Sequence, residues 1–377
     1  MKCLFNFLLL LSLSLNAYAQ WTPEILLTSP TIPEADNNKL TVDIEAIGFF
    51  KNNEYFSPVS LGQTFPGIFI RPRIACQIDN KLRLELGMTG LYFSGDQQKD
   101  GLSVFNSVFA RIQYAIRPNF HLVFGNYYDG ANHRLIEPLY RWEQQLIESP
   151  ESGLQLLYNT DRVFADIWLN WQRYIEHGDS VPEALTFGAS ASYRLTDEAR
   201  SFKLAIPAQL TIYHQGGQID TSNEKKVVTI NAATGVNMEW RVSRHFIRSI
   251  GFDAYLVGYY DKLPNSEVRP YSKGWGIYPV FKLNAKYFKF MTGYWYARNF
   301  YSSEGDPLFA SFNPRYPEAN LPTRQMITSK LTYFKPLHKA FSLGGQVEMY
   351  YDTKLKQFDY SFGINLRLNT QLFSKRL

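Results

Sequence analysis

The chain has 377 residues, of which 45% are hydrophobic, 16% aromatic and 19% charged, with a formal net charge of +5 and a mean hydropathy of −0.26. Beyond the N-terminus it holds no run of 18 apolar residues, which excludes a helical membrane protein. The charge is modest and mixed in sign along the chain, so it argues neither for a nucleic-acid binder nor for a polybasic lipid patch.

Lys2 precedes a short apolar stretch, Leu4–Leu15, and Asn16-Ala17-Tyr18-Ala19 then supplies small residues before Gln20. This is the pattern of a cleaved export signal over residues 1–19. The alternative, an N-terminal membrane helix, needs roughly 20 apolar residues, more than the stretch offers. Cys3 lies upstream of that stretch and is no lipoprotein cysteine. Cys76 is then the lone thiol of the mature chain, with no disulfide partner and no metal framework around it. Residues 20–39, interrupted by Pro23, Pro30 and Pro33, read as an extended periplasmic lead-in.

From residue 40 onward the chain alternates. Leu40, Val42, Ile44 and Ala46 oppose Thr41, Asp43 and Glu45; Ile68, Ile70, Ile74, Cys76 and Ile78 oppose Arg71, Arg73 and Gln77; Leu82, Leu84, Leu86 and Met88 oppose Arg83, Glu85 and Thr89. The same pattern recurs at Val163–Gln172, Leu185–Arg194 and Val228–Trp240, and again at Phe358–Asn369. A membrane strand needs about 9–11 residues with every second one facing lipid.

The connections alternate in length too. Lys51–Pro66, Ser94–Leu102, Asp129–Ser152, Ile175–Glu183, Gly216–Lys226, Asp261–Lys273 and Phe300–Thr323 are long, with Thr353–Lys356 a short exception. Asp79–Lys81, Arg117–Asn119, Thr160–Arg162, Thr196–Arg200, Arg241–Arg244 and Lys335–Lys339 are tight, as is the turn around Lys286. Aromatics gather where strands meet loops, as at Tyr127-Tyr128, Tyr259-Tyr260, Tyr294-Trp295-Tyr296 and Tyr350-Tyr351, in the manner of interfacial girdles. The fold expected over residues 40–377 is all-β: a transmembrane antiparallel up-and-down β-barrel of about sixteen strands in the outer membrane of a Gram-negative bacterium. The weakest strands are His121–Tyr127, Gly153–Asn159 and Gln325–Phe334; losing one hairpin leaves about fourteen. A secreted β-sandwich or propeller also alternates, but has no reason to alternate short and long turns.

About sixteen strands leave an aqueous channel unless something fills it. The third long connection, Asp129–Ser152, is too apolar for a simple exposed loop. In strand count and in that loop the architecture resembles the general diffusion porins, which fold their third loop into the lumen as a constriction. That resemblance implies a passive channel for small hydrophilic solutes, with no residue-level motif. By position, Arg134, Glu137, Arg141, Glu143 and Glu148 are expected to face Arg71, Arg73, Arg83 and Arg111 across the opening, with Glu85 beside them, setting a transverse field. The alternative is that these arginines form structural ion pairs within the lumen. The segments NHRLIEPLYRW, SPESGLQLLYN and ADIWLNWQRYIE, within Gly130–Glu176, also resemble outer-membrane barrels of Bacteroidetes. This likeness spans about an eighth of the chain and implies a barrel, not an activity.

The six histidines (His121, His133, His177, His214, His245 and His338) are scattered, and Gly188-Ala189-Ser190-Ala191-Ser192 reads as ordinary strand, not a nucleophile elbow. No enzyme activity, metal or other cofactor is therefore expected. The partners expected are outer-membrane lipids and small solutes, with a homo-oligomer or other envelope proteins open. The competing function is an occluded barrel that binds other envelope proteins; the apolar residues Leu308, Phe309, Phe312, Tyr316 and Leu321 of the seventh long connection suit it.

Overall fold

The computed structural model describes residues 23–95, 107–242 and 246–377. The expected export signal, His245 and most of the second long connection lie outside the described residues. Sixteen antiparallel strands close into one barrel, each paired with its neighbour in sequence and the last with the first. The first half comprises β1 (Lys39–Glu54), β2 (Thr64–Ile78), β3 (Leu82–Phe93), β4 (Ser107–Arg117), β5 (Phe120–Asn126), β6 (Ser152–Asn159), β7 (Val163–Arg173) and β8 (Ala184–Arg194). The second half comprises β9 (Phe202–Gln215), β10 (Val227–Arg241), β11 (Ile247–Asp261), β12 (Lys273–Ala285), β13 (Phe288–Arg298), β14 (Thr323–Pro336), β15 (Phe341–Asp352) and β16 (Gln357–Arg376). Closure runs from Lys39 opposite Arg376 to Glu54 opposite Tyr360, so no edge is left unpaired.

The three weakly marked strands all form, at Phe120–Asn126, Ser152–Asn159 and Thr323–Pro336. At the short-turn end the sequence specifies its turns locally. Asp79 and Asn80 both adopt positive φ (49° and 51°), the backbone of a two-residue hairpin turn, and these two residue types tolerate it.

Alternation sorts the two faces. Ile74, Leu86, Phe124, Leu256 and Ile364 on the outer face are 53–62% exposed. So large an apolar belt has only lipid to cover it. Facing inward are Asp43, Glu45, Arg71, Arg83, Glu85, Arg111, Asp166, Asp253, Lys330 and Glu348, all buried. Arg248 and Arg298, expected at lipid-facing positions, sit at strand ends, where their long stems reach the interface, whereas a bulge after Trp171 sets Arg173 opposite Ala184 on the inner face.

The lumen is packed with polypeptide. Residues 23–38, expected to lead in through the periplasm, instead run along the inside of the wall, with Ile25 and Leu26 buried. The reason is a row of inward donors that capture their carbonyls: Arg367 donates to Ile25 O (3.0 Å) and Leu27 O (2.7 Å), and Gln77 Nε2 to Pro33 O (2.8 Å). The third and seventh long connections fold in as well. Leu139, Trp142, Leu146, Phe300, Leu308, Phe309 and Phe312 join the N-terminal residues and the wall residues Tyr278, Trp295 and Met326 in one buried apolar cluster. The girdle expectation fails in part for the same reason: Tyr127, Tyr128, Tyr259, Trp295 and Tyr350 face inward and pack on these segments.

Candidate functional site

The inward arginines of β2–β4 are brought together, and Arg71 and Arg111 share a small pocket with Asp129, Asn132 and Gln145 of the third long connection, but they do not meet the loop charges expected to face them. Arg71 and Arg73 each stand 3.4 Å from Glu45, and Arg73 also lies 3.2 Å from Glu85. Arg83 lies 3.2 Å from Asp43, 3.3 Å from Glu85 and 3.4 Å from Asp36 of the N-terminal segment. Arg111 lies 3.1 Å from Glu85 and donates to the carbonyls of Asn126 and Tyr127. Four arginines therefore share carboxylates of β1 and β3, set one register step away by the strand pairing. This is the structural ion-pair arrangement, and it corrects the expected transverse field.

The loop residues lie elsewhere. Glu143 pairs with Lys51 on β1 and accepts from Asn53 (3.1 Å), while Lys51 also reaches Glu348 on β15 (3.0 Å). Glu137 pairs with Lys330 on β14. Arg141 and Glu148 face each other within the loop at 3.7 Å. Arg134 lies over the Phe164 ring, 3.6 Å from its centroid. The loop does fold inward, and is held by β1 and β14 on one side of the arginines and by β7 on the other. Alternation places Glu348 on the inner face, whereas Lys51, expected to open the first long connection, belongs to β1, and sequence carries no signal for which loop residue each one meets.

A second anchor was not foreseen at all. His133 is fully buried, with Nδ1 2.8 Å from Asp166 and Nε2 2.9 Å from Glu151. Tyr127 and Tyr140 donate to the same Glu151. Burial opposes a charged imidazole, but the two carboxylates outweigh it and raise its pKa to about 10. With both ring nitrogens engaged by carboxylates, the imidazolium form of His133 is favoured.

The seventh connection closes over the third. Arg141 N donates to Glu304 O (2.8 Å) and Asp306 N to Glu137 O (2.9 Å). The Glu304 carboxylate accepts from Gln172 (3.0 Å) and Thr186 (2.9 Å) and has no cation beside it. Burial raises both Glu304 and Asp306 to about 7, helped by Glu151 and Glu148 near the first and Glu143 near the second.

On the β6–β12 side a small cavity of about 60 Å³ remains, reaching from the short-turn mouth up to Arg134. Arg162, Arg194, Lys203 and Lys282 line it, with Asp161, Glu239, Asn159 and Asn237. Among the described residues no cluster of His, Cys, Asp and Glu has the form of a metal site.

Comparison with known proteins adds two findings. A family model described as lipid A 3′-O-deacylase-type matches residues 32–377. Two crystal structures of the outer membrane protein OprD from Pseudomonas aeruginosa resemble the barrel. They cover 94% and 93% of this chain and 100% and 98% of their own, with TM-scores of 0.52 and 0.51 and identities of 8% and 7%. At such identity the likeness is one of fold, that of an outer-membrane porin-like barrel. No curated protein matches the sequence. The family match overturns the expectation that the chain is not an enzyme, because the family takes its description from an ester hydrolase. Neither the scattered histidines nor Gly188–Ser192 offers a local motif from which that family could be read.

Proposed function

The chain belongs to the lipid A 3′-O-deacylase-type family, and we propose that this member is a gated polar passage through the outer membrane for small hydrophilic solutes. The observation that carries this reading is the charged cavity, which enters the bore from the short-turn mouth and ends beneath Arg134 of the third long connection. What closes the bore beyond it is polypeptide seated by a buried apolar cluster and by ion pairs and hydrogen bonds, Lys51–Glu143 and Lys330–Glu137 among them, with no strand pairing to the wall. Its release would leave the barrel's own hydrogen-bond ladder intact. The third connection is then the constriction, the first 19 residues a cleaved export signal, and lipid the outer neighbour of the wall. Single-channel recording of the folded barrel in a planar bilayer tests this. Brief, ohmic openings are expected; a silent barrel that is folded by heat-modifiable gel mobility removes the passage.

The family match favours a second reading, hydrolysis of the 3′-O acyl ester of lipid A at the lipid-facing wall. Ester cleavage needs a nucleophile or water activated by a base. His214 is the described histidine placed for it: it faces lipid near the long-loop end of β9, between Leu185 and Val228, and its Nε2 lies 3.2 Å from Gly216 O. Mass spectrometry of lipid A incubated with the barrel reads loss of one acyl chain. An unchanged lipid A mass defeats this reading, and activity retained by His214→Ala removes the histidine from it.

A further inference from the structure

We propose that the cation cluster at the short-turn mouth, where Arg194 and Lys203 also line the cavity, is a binding site for a small solute carrying a compact anionic group, phosphate or carboxylate, and that the chain's own Glu198 occupies it as a stand-in. Three cations from three successive strands converge there on one carboxylate. Lys203 Nζ on β9 stands 2.6 Å from Glu198 Oε1, Arg241 Nη2 on β10 stands 2.8 Å from the same oxygen, and Arg194 on β8 pairs with Oε2.

The two sides of this contact differ in kind. The Lys203 and Arg194 side chains are 5% and 14% exposed, fixed parts of the inner wall, whereas Arg241 is 41% exposed and the Glu198 side chain is 49% exposed on the turn between β8 and β9. Lys203 and Arg194 are thus a built surface, Arg241 an outer arm, and the carboxylate their replaceable occupant. The other charges nearby are accounted for: Arg162 pairs with Asp197, and Lys282 with Asp253 at 2.6 Å. Asp161 and Glu239 also line the cavity and make no ion pair among the described residues. They repel charge that extends beyond the triad, which favours one compact anionic group over a polyanion. Charge-assisted contacts from guanidinium and ammonium groups suit the tetrahedral or planar oxygens of such a group.

The solute's onward route rests on the passage reading, but its binding does not, and the test separates them. Inorganic phosphate is titrated calorimetrically, at constant ionic strength in chloride, into the full barrel in nanodiscs of phosphatidylcholine. Saturable heat is expected, with affinity falling at least about tenfold in Arg194→Gln/Lys203→Gln. Glu198→Gln, on an exposed turn, leaves the wall intact and is expected to raise affinity. No saturable heat, or affinity unchanged in both variants, overturns the site. If phosphatidylglycerol nanodiscs abolish phosphate binding, a lipid headgroup holds the triad and the solute proposal falls. Phosphate binding to a barrel that passes no current leaves the site standing and removes the passage alone.

Discussion

The His133 imidazole stacks on the Trp168 indole with ring centroids 3.7 Å apart and planes 13° from parallel. Trp168 belongs to β7 and His133 to the third long connection, so this pair fastens the loop to the wall, with Asp166 two residues along the same inner face. A cation on an aromatic face, flanked by two carboxylates, is satisfied on every side. Replacing His133 with Ala leaves Asp166 and Glu151 buried without their cation, at a cost of about 3–5 kcal/mol. The expected result is a barrel that still forms but whose loop is cut by protease within residues 129–151. A loop as resistant as wild type counts against the anchor.

The same anchor has a pH signature. His133 is raised above its ordinary value by Glu151 and Asp166, so its contribution is fully present below about 6.5 and is lost as pH rises through about 10. Protease resistance of the third connection is therefore expected to hold from pH 5 to 8 and to fail only in strong alkali. Failure near neutrality would show a neutral imidazole.

Gly188 on β8 lies beneath the Trp168 ring, so a Cβ there overlaps the indole. Gly188→Ala is expected to push Trp168 off His133 at about 1–3 kcal/mol, the usual range for overpacking. A lowered temperature for the heat-modifiable gel transition, together with a shift in tryptophan emission, checks it.

The seventh connection is expected to respond to pH in the opposite sense from a paired carboxylate. Glu304 faces Gln172, Thr186, Glu151 and Glu148, and Asp306 faces Glu143, Arg141 and Glu348. Both bind protons more tightly when the loop is seated, so seating is fully favoured below about 4 and loses that advantage as pH rises to about 7. Channel openings should become more frequent over that range, and Glu304→Gln with Asp306→Asn should flatten the profile. An unchanged profile in the double variant would assign the pH response elsewhere.

The N-terminal segment is held chiefly by Arg367, which also pairs with Glu45 at 2.7 Å. Deleting residues 23–37 is expected to enlarge single-channel conductance without preventing closure, because β1 and β16 pair along their full length without it. Conductance equal to wild type would mean that the third and seventh connections alone close the bore.

What the sequence determined by itself is the wall. Strand alternation needs only neighbours two residues apart, and turns such as Asp79-Asn80 are chosen by local backbone preference. The strand count, the faces of Arg71 or Glu348, and the inward tendency of residues 129–152 were all legible for that reason. The tertiary structure decided what the interior does. Which carboxylate meets Arg73, why His133 is charged, where residues 23–38 run, and how three cations come to share Glu198 all depend on groups far apart in the chain. Closure of the barrel sets their distances, and no periodicity in the sequence encodes them.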